Sequence, residues 1–406
     1  MEFQQILAVA ILVVVTLLFT TRLVPKAVAG LLGILSVALW AGFPAVLGSQ
    51  VPEALLATAG LMVLAGSLKR SGLAAWLTLL AMKGARGRPV RILWATGLLT
   101  FVLGALLGPL AAVALVLPVA LLLAVELDIP TLPFALVLSW ASGLGGITVL
   151  TAHPANLWTG VVLGIDGGAW VLRMLPLTAT ALVLTLVLGS LVFRKSLRAT
   201  NERRARVLEF DALRSLGNPG QVAKTVTVLG LVAVALGLAP VLGLPPALVI
   251  LTGAVVLLLL EGPSAVDRAL GEIDGGFLLF YGGLFAVVGA LAASGLPQIV
   301  HGMTPPPVAL LWVSAVGGAL VDPGAVMGVL LPFLKGLGGQ FWYLAVVGAT
   351  VGGAATAWGA ASNAVALGLV PQESKTRSWK AFTLWGLVFA AANLAVLTVL
   401  ALVLPS

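Results

Sequence analysis

An all-α polytopic membrane protein, built as two inverted repeats, is the fold this sequence predicts. Three observations lead there. Of the 406 residues, 60% are hydrophobic and only 9% charged, far too little polar surface for a water-soluble chain of this size. Apolar runs long enough to cross a bilayer follow one another along the chain. A polar, glycine-rich pattern then interrupts two of those runs, GGITVLTAHPAN over 145–156 and GGAATAWGAASN over 352–363. The two lie 207 residues apart, and in both an Asn stands ten residues after the second glycine.

The spanning runs are 3–20, 27–48, 52–68, 133–165, 169–193, 221–242, 244–260, 276–292, 341–371 and 381–404. The first follows Met-Glu-Phe-Gln-Gln, without a basic n-region or a cleavage site, and reads as a retained helix. Two further stretches, 92–125 and 307–338, are cut at Gly108-Pro109 and Asp322-Pro323. Each leg of about 16 residues reaches ~24 Å as a helix against a hydrocarbon core of ~30 Å, so both read as re-entrant hairpins, with two short tilted spans as the alternative.

Runs 133–165 and 341–371 read as broken helices. Adjacent glycines favour unwinding, and unwound backbone persists in a bilayer only where it is packed in protein or lines a wet cavity. Other pairs recur in the same order: Ser71-Gly72-Leu73 with Ser294-Gly295-Leu296, and Leu117-Pro118 with Leu331-Pro332. The repeats are therefore placed at 1–193 and 221–406, joined by a polar linker over 194–220 that reads as a solvated cytoplasmic connection.

The formal charge of +8 comes from bases in short loops between apolar runs, a topology signal and not a nucleic-acid surface. With Arg22 and Lys26 in the cytoplasm, all but Arg173 and Lys335 of the 22 Lys and Arg fall on that side, which places both termini outside the cytoplasm. Each half has five spans and one hairpin. An odd count makes the second half enter from the opposite face, the arrangement expected of secondary transporters in a cell membrane (inner or plasma). The lack of cysteine excludes disulfides and thiolate metal sites. No Walker or dinucleotide pattern is present, so neither ATP-driven transport by this chain nor an enzyme is expected, and no resident cofactor.

The site is expected where the two tips and the two breaks meet. Thirteen of the 14 acidic residues lie at predicted loops or span ends, which leaves Asp322, at the second tip, as the acid at membrane depth. It reads either as the cap of the helix from Gly324 or as a proton-coupling group; ionised there it costs at least ~2.5 to 3.5 kcal/mol on insertion scales. His153 is the histidine of the first break, either packed and satisfied by backbone or touching substrate or protons. Thr148, Thr151, Asn156, Thr356, Ser362 and Asn363 offer neutral oxygens and amides, or cap the breaks. Gly108, Pro109, Gly145, Gly146, Gly352 and Gly353 shape the tips and breaks. Helix N-termini turned inward suit an anion, while freed carbonyls suit a sodium ion near Asp322 and Asn363.

These motifs resemble the ion transporter superfamily, in particular its branch of arsenite permeases and sodium/proton antiporters, with citrate and dicarboxylate carriers and divalent anion/sodium symporters as relatives. The stretch Gly348–Asn363 is similar to that family's G-A-N-x-G-G-N-x-T-x-x-G-A-S-A-N pattern, and Gly145–Asn156 to G-G-x-x-T-x-x-G-x-P-x-N. Gly104–Val119 and Gly318–Pro332 resemble the two hairpins, written S-A-x-x-D-N with a later Pro. The resemblance implies an inverted-repeat carrier of the elevator type, working as a homodimer. Gly108-Pro109 and Pro323 depart from it: one tip carboxylate and two amides are missing, which weakens a tricarboxylate or two-sodium mechanism.

The first functional expectation is a transporter of a small inorganic ion or oxyanion, with arsenite-like efflux coupled to protons. A sodium/proton antiporter and a sodium-coupled citrate or dicarboxylate carrier are the alternatives. A channel or a non-transporting membrane scaffold is the reading from a different class, and it would show no counterflow exchange in vesicles.

Overall fold

The computed structural model describes residues 25–41, 51–293, 305–335, 337–370 and 375–403, with isolated positions before residue 20. The expected span 3–20 therefore lies almost wholly outside the described residues, as do 42–48 of the second run and Ser294-Gly295-Leu296. Among the described residues every regular element is helical.

The first part of the chain forms α1 (Lys26–Ala41), α2 (Val51–Arg70), α3 (Leu73–Gly84), α4 (Pro89–Leu107), α5 (Pro109–Glu126), α6 (Leu132–Thr148), α7 (Pro154–Leu163) and α8 (Gly167–Val192). The connecting segment carries α9 (Asn201–Leu208), and the rest forms α10 (Pro219–Leu242), α11 (Pro246–Glu261), α12 (Pro263–Gly271), α13 (Gly275–Ala293), α14 (Pro307–Leu320), α15 (Pro323–Leu334), α16 (Gly339–Ala355), α17 (Ala361–Leu369) and α18 (Lys375–Val403). Proline opens many of them at the first helical position, where its missing N–H would find no intrahelical partner anyway. Five helices among the described residues, α4, α5, α8, α10 and the main part of α18, are long and apolar enough to cross a membrane.

Two expectations are corrected. The legs of the 92–125 stretch are not short: α4 has 19 residues and α5 has 18, because Pro89 starts the first before the apolar run and the second continues to Glu126. The legs of the second stretch, α14 and α15, stay at 14 and 12 residues. Second, α3 and α12 were not expected, being too short or too polar to register as spans. The linker also carries structure of its own: Thr200 caps α9 by accepting from the Arg203 N–H at 3.3 Å, and Arg203 pairs with Asp128 at 3.2 Å.

Packing is duplicated. The leg α4 lies along α6, and α14 lies along α16; α6 packs on α8, and α16 on α18; α5 meets α17, and α7 meets α15. Glycine makes these approaches close enough. A Cβ at Gly104 would sit 2.6 Å from the Ser142 carbonyl oxygen, and at Gly145 it would run into the Phe101 carbonyl; Gly318 and Gly352 meet the carbonyls of Ala349 and Ala315 in the same way. At Gly146 and Gly353 the obstacle is a proline ring, Pro109 and Pro323 respectively. The core is filled by large apolar side chains, with Trp140 of α6 edge-on to Phe389 of α18 at 6.1 Å and Trp170 stacked on Trp342 at 4.8 Å.

Candidate functional site

The two tips are built differently. At the first, Gly108 has φ 90° and ψ 160°, a left-handed region that disfavours a side chain, so the chain turns there by virtue of glycine itself. At the second, Val321 is extended and Asp322 caps α15, its Oδ1 accepting from the Gly324 N–H at 2.9 Å.

The two breaks are built alike. Val149 and His153 are extended at the entry and exit of the first, and Thr356 and Ala360 at those of the second. Each break leaves carbonyls without helical partners, and an asparagine returns to meet them. The Asn156 amide donates to the carbonyls of Gly146 at 2.8 Å and Val149 at 3.3 Å; that of Asn363 donates to Gly353 at 2.8 Å and Thr356 at 2.6 Å. In a low-dielectric interior those carbonyls would otherwise carry a substantial desolvation cost.

Tips and breaks surround one cavity of about 400 Å³. Its wall includes Gly108, Pro109, His153, Asn156, Asp322, Gly324, Ser362 and Asn363 of the expected residues. The N-terminal turns of α5, α7, α15 and α17 all contribute, so four positive helix ends border the same space. Two are capped, by His153 and Asp322, while α5 and α17 have no side-chain cap.

The other expected residues stand behind that wall. Gly145 and Gly146 let α4 and α5 approach α6, and Gly352 and Gly353 let α14 and α15 approach α16. The Thr148 hydroxyl is joined to Thr178 at 2.8 Å, and Thr356 donates to the Ala319 carbonyl at 2.8 Å. Thr151 is buried and is also absent from the wall. The bonds of Thr148 and Thr356 tie the first break to α8 and the second break to the end of α14.

Several wall residues were not foreseen. Ser139, from the middle of α6, donates to Asn363 Oδ1 at 2.5 Å. The Asn363 amide is thus held at both ends, its nitrogen by two carbonyls and its oxygen by the Ser139 hydroxyl. Its counterpart Asn156 has no acceptor bond at Oδ1 among the described residues, and the residue 207 positions after Ser139 is Val346, whose side chain cannot donate one. Tyr281 of α13 is fully buried and donates to Asp322 Oδ1 at 2.6 Å, and its oxygen lies 3.2 Å from His153 Nε2. Lys69, Glu272 and Asp274 also line the cavity.

Asp322 is not the only buried acid. Glu261, expected at a solvated span end, has a side chain only 4% exposed. It accepts from Arg70 at 2.7 Å and from Ser67, and Arg70 also pairs with Glu272. The clamp joins the ends of α2 and α11 to the segment after α12. Among the described residues, no group of three or more His, Asp or Glu is arranged to hold a metal ion.

The chain is similar to known membrane transporters. The chain is 30% identical over 354 residues to uncharacterized transporters of Mycobacterium bovis and Mycobacterium tuberculosis, with 83% of this chain and 82% of each relative covered. It is 26% identical over 337 residues to the magnetosome protein MamN of Paramagnetospirillum magneticum, covering 78% and 75%. Among solved structures it superposes on the YdaH transporter of Alcanivorax borkumensis, described as having an unusual topology, with a TM-score of 0.56, 16% identity and 98% of both chains covered. That likeness is one of fold. The model of the CitMHS family, described as citrate transporter, matches residues 4–345, and with that much of its length matched this multi-pass chain belongs to the CitMHS family of membrane transporters.

Proposed function

We propose that this chain is a proton-coupled, secondary-active transporter of a small inorganic ion or oxyanion, of the arsenite type, that uses the cavity between the two tips and the two breaks. The observation that carries this reading is the chemistry of the wall: one tip carboxylate held by a tyrosine, neutral amides and hydroxyls, four helix N-termini, and, among the described residues, a single cationic side chain, Lys69. Hydroxyl-rich, weakly charged oxyacids suit such a wall. A tricarboxylate would bring three negative charges to a space that also presents Asp322, Glu272 and Asp274.

The duplicated packing supports two repeats, 1–193 and 221–406; their inversion rests on the odd number of spans in each half, and elevator motion on the resemblance. The homodimer, efflux direction and extracytoplasmic termini belong to the same proposal and rest on the resemblance and on the charge bias.

A second reading, a sodium-coupled citrate or dicarboxylate carrier, is favoured by the family's description and by the uncapped N-termini of α5 and α17, which are ready to receive a carboxylate. Counterflow by the purified protein in vesicles separates the two. Arsenite exchange that responds to a pH gradient and ignores sodium is expected; sodium-dependent citrate exchange would replace the first reading with the second. No exchange of any small ion or carboxylate would point to a channel or a scaffold.

A further inference from the structure

His153, Tyr281 and Asp322 come from three separate elements and meet in a line of hydrogen bonds whose directions are all fixed. The backbone N–H of Ala155 can only donate, and it does so to His153 Nδ1 at 3.3 Å. Nδ1 therefore carries no hydrogen and Nε2 does. Nε2–H then donates to the Tyr281 oxygen at 3.2 Å, which leaves the phenol hydrogen for Asp322 Oδ1 at 2.6 Å. The same Oδ1 accepts from Gly324 N–H, so it faces two donors.

The surroundings leave little freedom. A Cβ at Gly324 would come within 2.5 Å of the Tyr281 hydroxyl. Tyr281 is enclosed by Phe277, Phe280 and Phe285, and its ring meets the imidazole edge-on at 5.4 Å. Among the described residues, the other titratable or charged side chains on the cavity wall are Lys69, Glu272 and Asp274. None of them has a hydrogen bond to the line among the described residues. A proton added to His153 at Nδ1 would oppose the Ala155 N–H and open the cap of α7.

We infer that His153 and Tyr281 form a one-way hydrogen-bond chain that positions the Asp322 carboxylate, leaving Asp322 alone to carry the coupling proton. The role of Asp322 rests on the proposed proton coupling; the direction of the chain does not. Tyr281 and His153 are positioning residues. They hold one carboxylate oxygen, so that the other is the one available to a proton or to cargo.

The chain has two histidines, so His301→Gln leaves one imidazole to observe in 15N-histidine-labelled protein. Nitrogen NMR is expected to show the neutral Nε2–H tautomer throughout the range from about pH 5 to pH 8, where histidine ordinarily titrates. Tyr281→Phe should move the Nε2 resonance and leave Nδ1 nearly unchanged. An Nδ1–H tautomer, an imidazolium formed in that range, or an Nε2 signal indifferent to Tyr281→Phe would overturn the chain.

Vesicles supply the second arm. His153→Asn keeps a side-chain acceptor for the cap and should retain cargo-driven proton flux, slowed by up to roughly tenfold, about the worth of one hydrogen bond. Abolished flux in a folded His153→Asn protein that still exchanges cargo would make His153 a proton carrier and overturn the assignment to Asp322. Absence of proton flux in the parent protein would contradict the proposed coupling and that assignment with it, while the tautomer would still decide the direction of the chain.

Discussion

The side-chain amide of Asn363 donates to the carbonyl of Gly353, ten residues earlier, at 2.8 Å, and so closes the gap between α16 and α17 from within. Asn156 and Gly146 repeat the bond at the same length in the first break. The two asparagines are not equal, because Asn363 also has the 2.6 Å bond to Thr356 and receives the Ser139 hydroxyl, while the second amide bond of Asn156 is 3.3 Å long.

Alanine at either position leaves buried carbonyls unpaired, at about 1 to 3 kcal/mol each. Asn363→Ala should therefore lower the thermal unfolding midpoint of the purified protein more than Asn156→Ala does, and both should slow transport. Equal midpoints, or wild-type transport in the double variant, would remove the asparagines from this role.

Gly353 meets the ring of Pro323, and Gly146 that of Pro109, so a methyl group there presses directly on the start of α15 or α5. Overpacking of this kind costs about 1 to 3 kcal/mol. Gly353→Ala is expected to reduce both thermal stability and transport, whereas Gly230→Ala, exposed on α10 with nothing within 4 Å of its added Cβ, should change neither by much. Thermal-shift and counterflow measurements on the two variants make the comparison.

Breaks and tips were legible because their signals are local. Paired glycines, prolines at helix starts and an Asn ten residues on mark their own positions, and Asp322 stood out as an acid inside an apolar stretch. What could not be read depends on distant contacts. Tyr281 lies in the apolar run of α13 with no local mark beyond being one of two tyrosines, and only the fold brings it to His153 and Asp322. Ser139 looks like any small polar residue until Asn363 arrives from 224 positions away. Glu261 and Arg70 sit at helix ends, where charges usually meet water, and their burial follows from the crossing of α2 and α11.

That burial yields a stability prediction. Arg70→Ala would strand Glu261 without its cation, and breaking a buried pair from one side costs about 3 to 5 kcal/mol. A marked fall in unfolding midpoint is expected, partly recovered when Glu261→Gln removes the stranded charge. An Arg70→Ala protein as stable as the parent would mean that water reaches this clamp freely.

Asp322 is where tip, tyrosine and cavity converge, and its substitution tests the proposed coupling most directly. Asn at 322 keeps an acceptor for the Gly324 N–H and for Tyr281 but does not titrate, so passive exchange of cargo should survive while proton-coupled accumulation is lost. The measurement is cargo-driven proton flux in vesicles that contain the parent or the Asp322→Asn protein. Flux abolished with exchange preserved is the predicted result; undiminished flux would make Asp322 only the cap of α15 and would contradict the account.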